Sequence, residues 1–315
     1  MVGDVGEAVV TMPSATVAVL TWNGQRYLDA LLAAVLEQEY AGSFDVLVID
    51  SGSTDRTLEI VAAHPGVRLH EIPNSEFGHG KTRNLAAQLA TGEIVAYLTH
   101  DAVPASSTWL SFLVAPMVDD DRVVAVVGKQ IPRSGCVPVI KYDIQRVFER
   151  LGPDGRATVV FGDDPVLDDA ARAAAAFYSD ANSAARRSIL TGPVPYRDVD
   201  YAEDQLFGRD LLDGGYRKAY APAAAVEHSN DLSLRSSGQR IVDEVVGLRR
   251  IGTPVPRMSI PGALARALKW SLLDSRRIIV DRDYGFVRRV EWLAVNPLYQ
   301  LVKWFSYRAG TRRRL

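Results

Sequence analysis

Residues 44–64, "FDVLVIDSGSTDRTLEIVAAH", change period at their middle. The first seven are an apolar, β-branched run that ends in Asp50. After Ser51-Gly52 the apolar residues recur at helical spacing, with Ser53 or Thr54 as the helix N-cap. The stretch therefore predicts a strand that turns into a helix.

The same alternation repeats on both sides. "TVAVLTW" (16–22) is a strand and "QRYLDALLAAVLEQ" (25–38) a helix. Downstream, "VRLHEI" (67–72), "EIVAYLT" (93–99) and "RVVAVVGKQI" (122–131) are strands, while "GKTRNLAAQLATG" (80–92) and "STWLSFLVAPMV" (107–118) are helices. About four strand–helix repeats imply an α/β chain whose mostly parallel sheet is covered on both faces. No internal repeat or low-complexity tract interrupts the pattern.

In an open sheet of this kind ligands bind at the carboxyl ends of the strands. Those ends are Thr21-Trp22-Asn23, Asp50-Ser51-Gly52-Ser53 and Thr99-His100-Asp101, each polar or small where the apolar run stops. Turn and cap chemistry accounts for any one of them equally well. All three together favour a ligand site. The triple-glycine dinucleotide fingerprint is missing after the first strand, where "TWNGQRYL" has one glycine, and there is no Walker phosphate loop. A dinucleotide-dependent oxidoreductase is disfavoured on that ground.

Composition sets the outer bounds. With 315 residues, 47% hydrophobic and 23% charged, the chain can bury a large core. A single cysteine, Cys136, rules out an internal disulfide framework and suits a reducing compartment. The first residues carry acids where a signal peptide carries Lys or Arg, and no apolar run approaches the roughly 18 residues of a membrane span. The expected location is cytoplasmic. The formal charge of −2 hides an asymmetry: residues 257–315 hold 13 Lys and Arg against 4 Asp and Glu, a net +9, which leaves −11 for the first 256.

Four stretches, "VAVLTWN", "VLVIDSGSTDRTLEI", "HGKTRNLAAQLATGEIVAYLTHDAVP" and "YAEDQLFGRDLLDGGY", taken in that order, resemble glycosyltransferase family 2. "FGHGKTRN" followed by Thr99-His100-Asp101-Ala102 is similar to the family's bacterial rhamnosyltransferase branch. The resemblance spans about residues 15–230 and implies a GT-A nucleotide-diphosphosugar transferase fold, Rossmann-like, over residues 1–230, with 231–315 as a basic, aromatic-rich helical extension. It implies an inverting enzyme that moves L-rhamnose from its dTDP-activated form to a polysaccharide or lipid-linked glycan by single displacement. Another UDP- or GDP-sugar donor on the same scaffold remains open, and so does a non-catalytic nucleotide-sugar binding protein of a glycan assembly complex.

Carried over by position, the resemblance puts Thr21, Asn23, Ser53 and His100 beside the nucleotide. It makes Asp50 the acceptor of a pyrimidine N–H, which suits a carboxylate. Arg83 would line the same site, and Lys81 would add positive charge near the diphosphate, although a solvated first-turn lysine reads as well. The family's metal-binding acidic pair is incomplete: Thr99 stands at its first position and Asp101 at its second. One carboxylate suffices for Mg²⁺ or Mn²⁺ when phosphates and waters complete the shell, so a divalent cation is expected on Asp101, with His228 as second ligand. Asp204 would be the catalytic base, with Glu203 in support, although acids are favoured in any first helical turn. His79, Asp180 and Asn182 would face donor sugar or acceptor.

Residues 131–176, rich in Gly, Pro and Asp, read as irregular, and Arg186 and Arg187, in a region that the resemblance turns toward donor sugar and acceptor, read equally well as a pair on a helix face. Beyond 231 three helical stretches mix Trp, Tyr, Phe and Leu with Arg and Lys. They fit peripheral contact with the inner face of an anionic membrane, or core helices with a basic outer face. Nucleic acid is a poorer partner, because the rest of the chain is acidic and carries no known binding motif.

Overall fold

The computed structural model describes residues 12–161, 175–230 and 233–315. Strands β1 (Ala15–Thr21), β2 (Phe44–Asp50), β3 (Val67–Glu71) and β4 (Ile94–Thr99) form one half of the sheet. Helices α1 (Leu28–Leu36), α2 (Thr57–Ala62) and α3 (His79–Leu89) connect them. All pairings within this half are parallel, in the spatial order β3-β2-β1-β4.

The second half mixes directions. β5 (Val103–Pro104), α4 (Trp109–Asp119) and β6 (Val123–Ile131) are followed by α5 (Pro138–Leu151), β7 (Thr158–Phe161) and β8 (Asn182–Arg186). A helical turn, α6 (Arg187–Leu190), then α7 (Glu203–Asp213) and β9 (Arg217–Glu227) complete the sheet. β8 lies antiparallel between β4 and β6, whereas β9 runs parallel to β6. Its Ser183, Ala184 and Ala185 are buried, and such short side chains fit a strand covered on both faces.

Alternation along the strands divides the core. Val17 and Val19 of β1 pack with Leu28, Leu31, Leu110 and Leu113 on one face, and Ala18 packs with Ala86, Ala87, Phe207 and Leu211 on the other.

Two expectations fail here. Residues 131–176 are not irregular throughout, because 138–151 form α5, started by Pro138 at its first position; residues 162–174 lie outside the described part. Arg186 and Arg187 do not share a helix face. Arg186 ends β8 and donates to the Val123 and Met117 carbonyls, while Arg187 donates to that of Ala87.

After the sheet come α8 (Leu234–Arg250), α9 (Ile260–Val280) and α10 (Phe286–Arg312). α10 packs against α9 and α8, and both α9 and α10 touch α5. The seam with α5 is polar. Lys141, buried, donates to Asp281 and Asp283 at 2.7 and 2.6 Å, and Arg146 bonds the buried Asp274 at 3.0 Å.

Candidate active site

The loops after β1 and β2 are bonded to each other. Ser51 donates its N–H and Oγ to the Thr21 carbonyl at 3.0 Å each, and the Asn23 Oδ1 accepts from the Thr54 N–H at 2.9 Å. Asn23 sits at φ 51°, a left-handed conformation that Asn tolerates better than most residues. Gly24 follows because nothing larger fits: a Cβ there would stand 2.6 Å from Thr21 Oγ1 and 3.1 Å from His100 Cβ. Thr21 Oγ1 is itself buried and without a hydrogen-bond partner.

Asp50 departs from expectation. It is fully buried, and its carboxylate accepts the Gly52 and Ser53 N–H groups at 3.0 and 2.9 Å and the Ser53 hydroxyl. The residue expected to meet a pyrimidine instead closes its own turn. Ser53 shares that duty, its Oγ also accepting the Asn23 N–H at 2.8 Å.

A cavity of about 220 Å³ opens where the loops after β1, β4 and β9 converge. Asn23, Gly24, Arg26, Tyr27, His100, Asp101, Ser229 and Asn230 line it. Asp101 Oδ1 lies 3.5 Å from His228 Nε2, and the ring's other nitrogen, Nδ1, is 2.8 Å from Gln130 Oε1. Gln130 gives its Nε2 to Ser179 Oγ at 2.9 Å, so its oxygen is the end that faces the ring, and His228 Nδ1 is the donor. Nε2 is thereby left to meet Asp101 or a ligand. Burial opposes ionisation of Asp101, but the bond to His228 and the charges of His228 and His100 outweigh it and hold the carboxyl well below the usual carboxylate range. Burial also lowers the His100 imidazole, although Asp101 and Asp55 pull the other way.

Sequence reasoning passed over Arg133, Tyr27 and Arg26. The Arg133 guanidinium stacks on the Tyr27 ring, 3.8 Å from its centroid, and donates to the carbonyls of Asp101 and Ser229. The Arg26 guanidinium also lies over the Tyr27 ring, 4.9 Å from its centroid. The rule that found the other loops also reaches Arg133, two residues past the end of β6.

The second cluster surrounds Asp204. Arg83, buried on α3, holds Glu203 Oε1 at 2.5 Å and Asp180 Oδ2 at 2.8 Å, and His79 Nδ1 stands 4.0 Å from the same Glu203 oxygen. Asp180 also accepts the Ser183 and Tyr196 hydroxyls at 2.6 and 2.8 Å. Arg83 therefore faces the carboxylates of α7 and not the cavity expected to take the nucleotide. Burial first, then the neighbouring Glu203 and Asp180 carboxylates, push the Asp204 carboxyl well above its usual range. The clusters meet along the chain, since Ser179, bonded to Gln130, precedes Asp180.

Two more expectations are corrected. Asn182 is fully buried with its amide committed: Oδ1 accepts from Trp109 at 2.9 Å, and Nδ2 donates to the carbonyls of Lys129 and Ala224 at 2.9 and 2.7 Å. Both N–H donors are used and the side chain is fully buried, so it presents no surface to a sugar hydroxyl. Asp180 is likewise enclosed by Arg83, Ser183 and Tyr196 and orients α3 against α7. Lys81 projects into solvent from the first turn of α3 and is not among the residues lining the cavity.

Parallel strands in the order β3-β2-β1-β4, continued by β8 and β6, with polar groups gathered at their carboxyl ends, define a nucleotide-diphosphosugar transferase of the GT-A type. The family model for glycosyl transferase family 2 matches residues 16–190, and the chain belongs to that family: it is a glycosyltransferase. It is 30% identical to the O-antigen chain rhamnosyltransferase WbaN of Salmonella anatum over 95% of this chain and 90% of that protein. With RfbN of Salmonella typhimurium, another O-antigen chain rhamnosyltransferase, it shares 28% identity over 94% and 88%. Among solved structures, the mannosyltransferase PcManGT of Pyrobaculum calidifontis, in complex with GDP-Man and Mn²⁺, aligns with a TM-score of 0.59 at 21% identity, over 95% of this chain and 86% of that one.

Proposed function

We propose that the protein transfers L-rhamnose from dTDP-rhamnose to a hydroxyl of a polysaccharide or lipid-linked glycan, with inversion. The observation that carries the reading is the approach of Asp101 to His228, two side chains 127 positions apart brought within 3.5 Å at the end of the sheet where this fold takes its ligand. An oxygen and an imidazole nitrogen suit Mn²⁺ better than Mg²⁺, whose ligands are oxygens, and the bond from His228 Nδ1 to Gln130 orients the ring as the partners of metal-bound histidines do. Among the described residues no group of three or more His, Cys, Asp and Glu surrounds this point, so diphosphate oxygens and water would fill the remaining positions. A divalent ion bound there offsets the charge that develops on the departing nucleoside diphosphate.

Asp204 takes the proton from the acceptor hydroxyl. Its raised pKa makes it a stronger base than an ordinary aspartate, and Glu203, fixed by Arg83, holds a second negative charge beside it. Arg26 and His100, which line the cavity, supply cationic or hydrogen-bonding edges to a phosphate there, while Arg133 braces the Asp101 and Ser229 backbone behind it. The likeness to two O-antigen rhamnosyltransferases supports rhamnose as the sugar and a bacterial surface glycan as the acceptor class. The transferase unit of this reading ends near residue 230, and the single cysteine suits a cytoplasmic setting.

A thermal-shift titration with dTDP, UDP and GDP, each with and without Mn²⁺ or Mg²⁺, tests it, because a ligand of the folded state raises stability by mass action. A shift that is selective for dTDP and needs the metal is expected, and it should vanish in Asp101→Ala. Preference for UDP or GDP moves the donor. No shift with any nucleotide overturns the nucleotide site.

A further inference from the structure

The outer face of α9 and α10 is apolar where a helix in water is normally polar. On α9, Ile260, Leu264, Leu268 and Leu272 recur every fourth residue, and Leu268 and Leu272 are 64% and 59% exposed. The inner line of the same helix, Ala263, Ala267, Ser271, Asp274 and Ile278, is already buried, so packing against the protein does not use the outer one. Past the short connection, Phe286 and Val287 open α10 at 79% and 70% exposure. Exposed apolar residues in this number mark an interaction surface.

Charge identifies what covers it. Every carboxylate in residues 257–315 is already engaged: Asp274 by Arg146 and Gln300, Asp281 and Asp283 by Lys141, and Glu291 by Arg288. Lys269, Arg276 and Arg282 are exposed, and Arg276 continues the line of Leu264, Leu268 and Leu272 by one more step of four. The net +9 of this segment is therefore presented with its counter-charges turned inward or spent locally. Two copies of such a face would repel each other, and a nucleic acid has no use for the aliphatic line.

We propose that α9 and α10 form a docking surface for an anionic lipid bilayer. Their leucines and Phe286 enter the boundary between headgroups and acyl chains, and Lys269, Arg276 and Arg282 lie among the headgroup phosphates. No helix of the described residues is long and apolar enough to cross a membrane, so the contact lies in the plane of the interface. Docking of this kind holds the enzyme in the layer where a lipid-linked acceptor is presented. It does not depend on which sugar is transferred.

Co-sedimentation of the full chain with vesicles tests the proposal, with no nucleotide or sugar present, so that its outcome is separate from that of the transferase reading. Binding is expected to vesicles of phosphatidylcholine mixed with phosphatidylglycerol, weakly or not at all to phosphatidylcholine alone, and to fall as salt rises. Lys269→Ala and Arg276→Ala should each weaken it by about fivefold. Leu268→Glu with Leu272→Glu should abolish it, while Arg156→Ala, outside these helices, leaves it unchanged. All these positions are exposed, and an unchanged melting curve confirms folding. Absence of binding to anionic vesicles, or binding that the two leucine substitutions leave intact, overturns the proposal. So does a lipid-free dimer in sedimentation velocity that the same leucine substitutions dissolve, because the face would then belong to a second copy.

Discussion

Asp204 owes its basicity to what surrounds it. Three acidic side chains, Asp180, Glu203 and Asp204, share one buried neighbourhood, with Arg83 bonding the first two. Asp204→Asn should cut transfer by about 10²–10⁴-fold, the usual contribution of a positioned general base, and leave nucleotide binding in place. A variant that keeps turnover would remove Asp204 from the mechanism. The sign of the stability effect follows from linkage. A carboxyl whose folded pKa is raised binds its proton more tightly when folded, so above that pKa the ionised group weighs against folding, and the penalty disappears below the unfolded value of about 3.9. Asp204→Asn should therefore melt higher than the native chain at neutral pH and no higher in strong acid. The same raised pKa puts the acid limb of the native pH–rate profile above the ordinary carboxylate range. The acidic pair Glu203-Asp204 was legible in the sequence as a pair, whereas the surroundings of Asp50 were not. Asp204 and Asp50 are both acids at the edge of an element, and only the three donors of the 51–53 turn reveal that Asp50 is spent on its own loop.

Elements meet at this site through Arg83. The side chain leaves α3, crosses to Glu203 at the start of α7 and also takes Asp180 from the segment that leads into β8. Arg83→Ala would strand two buried carboxylates, and a loss of about 3–5 kcal/mol is expected from the removal of one partner of such a network. Urea unfolding measures it, and a cost below about 1 kcal/mol would mean the carboxylates find other partners or take up protons. The elements themselves were largely readable: β1, β2, β4 and β6 carry continuous apolar runs and α1 to α4 carry helical spacing. β8 was not readable, because "NSAAR" has no apolar pattern and owes its place to room between β4 and β6 for small side chains. α5 was hidden by the Gly and Pro around it.

Across the whole molecule, a sheet with its site at one end carries a bundle of helices fastened to α5. Lys141 is a principal fastener, buried with Asp281 and Asp283. Lys141→Ala should raise hydrogen exchange in α9 and at the start of α10 and leave β1, β2 and β4 protected. Uniform loss of protection would instead make bundle and sheet one cooperative unit. The sequence by itself determined the strand–helix alternation, the three polar strand ends, the acidic pair of α7 and the basic helical tail, because all of these are local patterns of period or charge. The tertiary structure alone decided which acids are spent on the protein. It also decided that His228 meets Asp101, that Arg83 pairs with Glu203 and Asp180, and that Arg133 stacks on Tyr27. Each of these depends on distance between residues far apart in the chain, and a spacing in sequence carries no information about that distance until the sheet has closed.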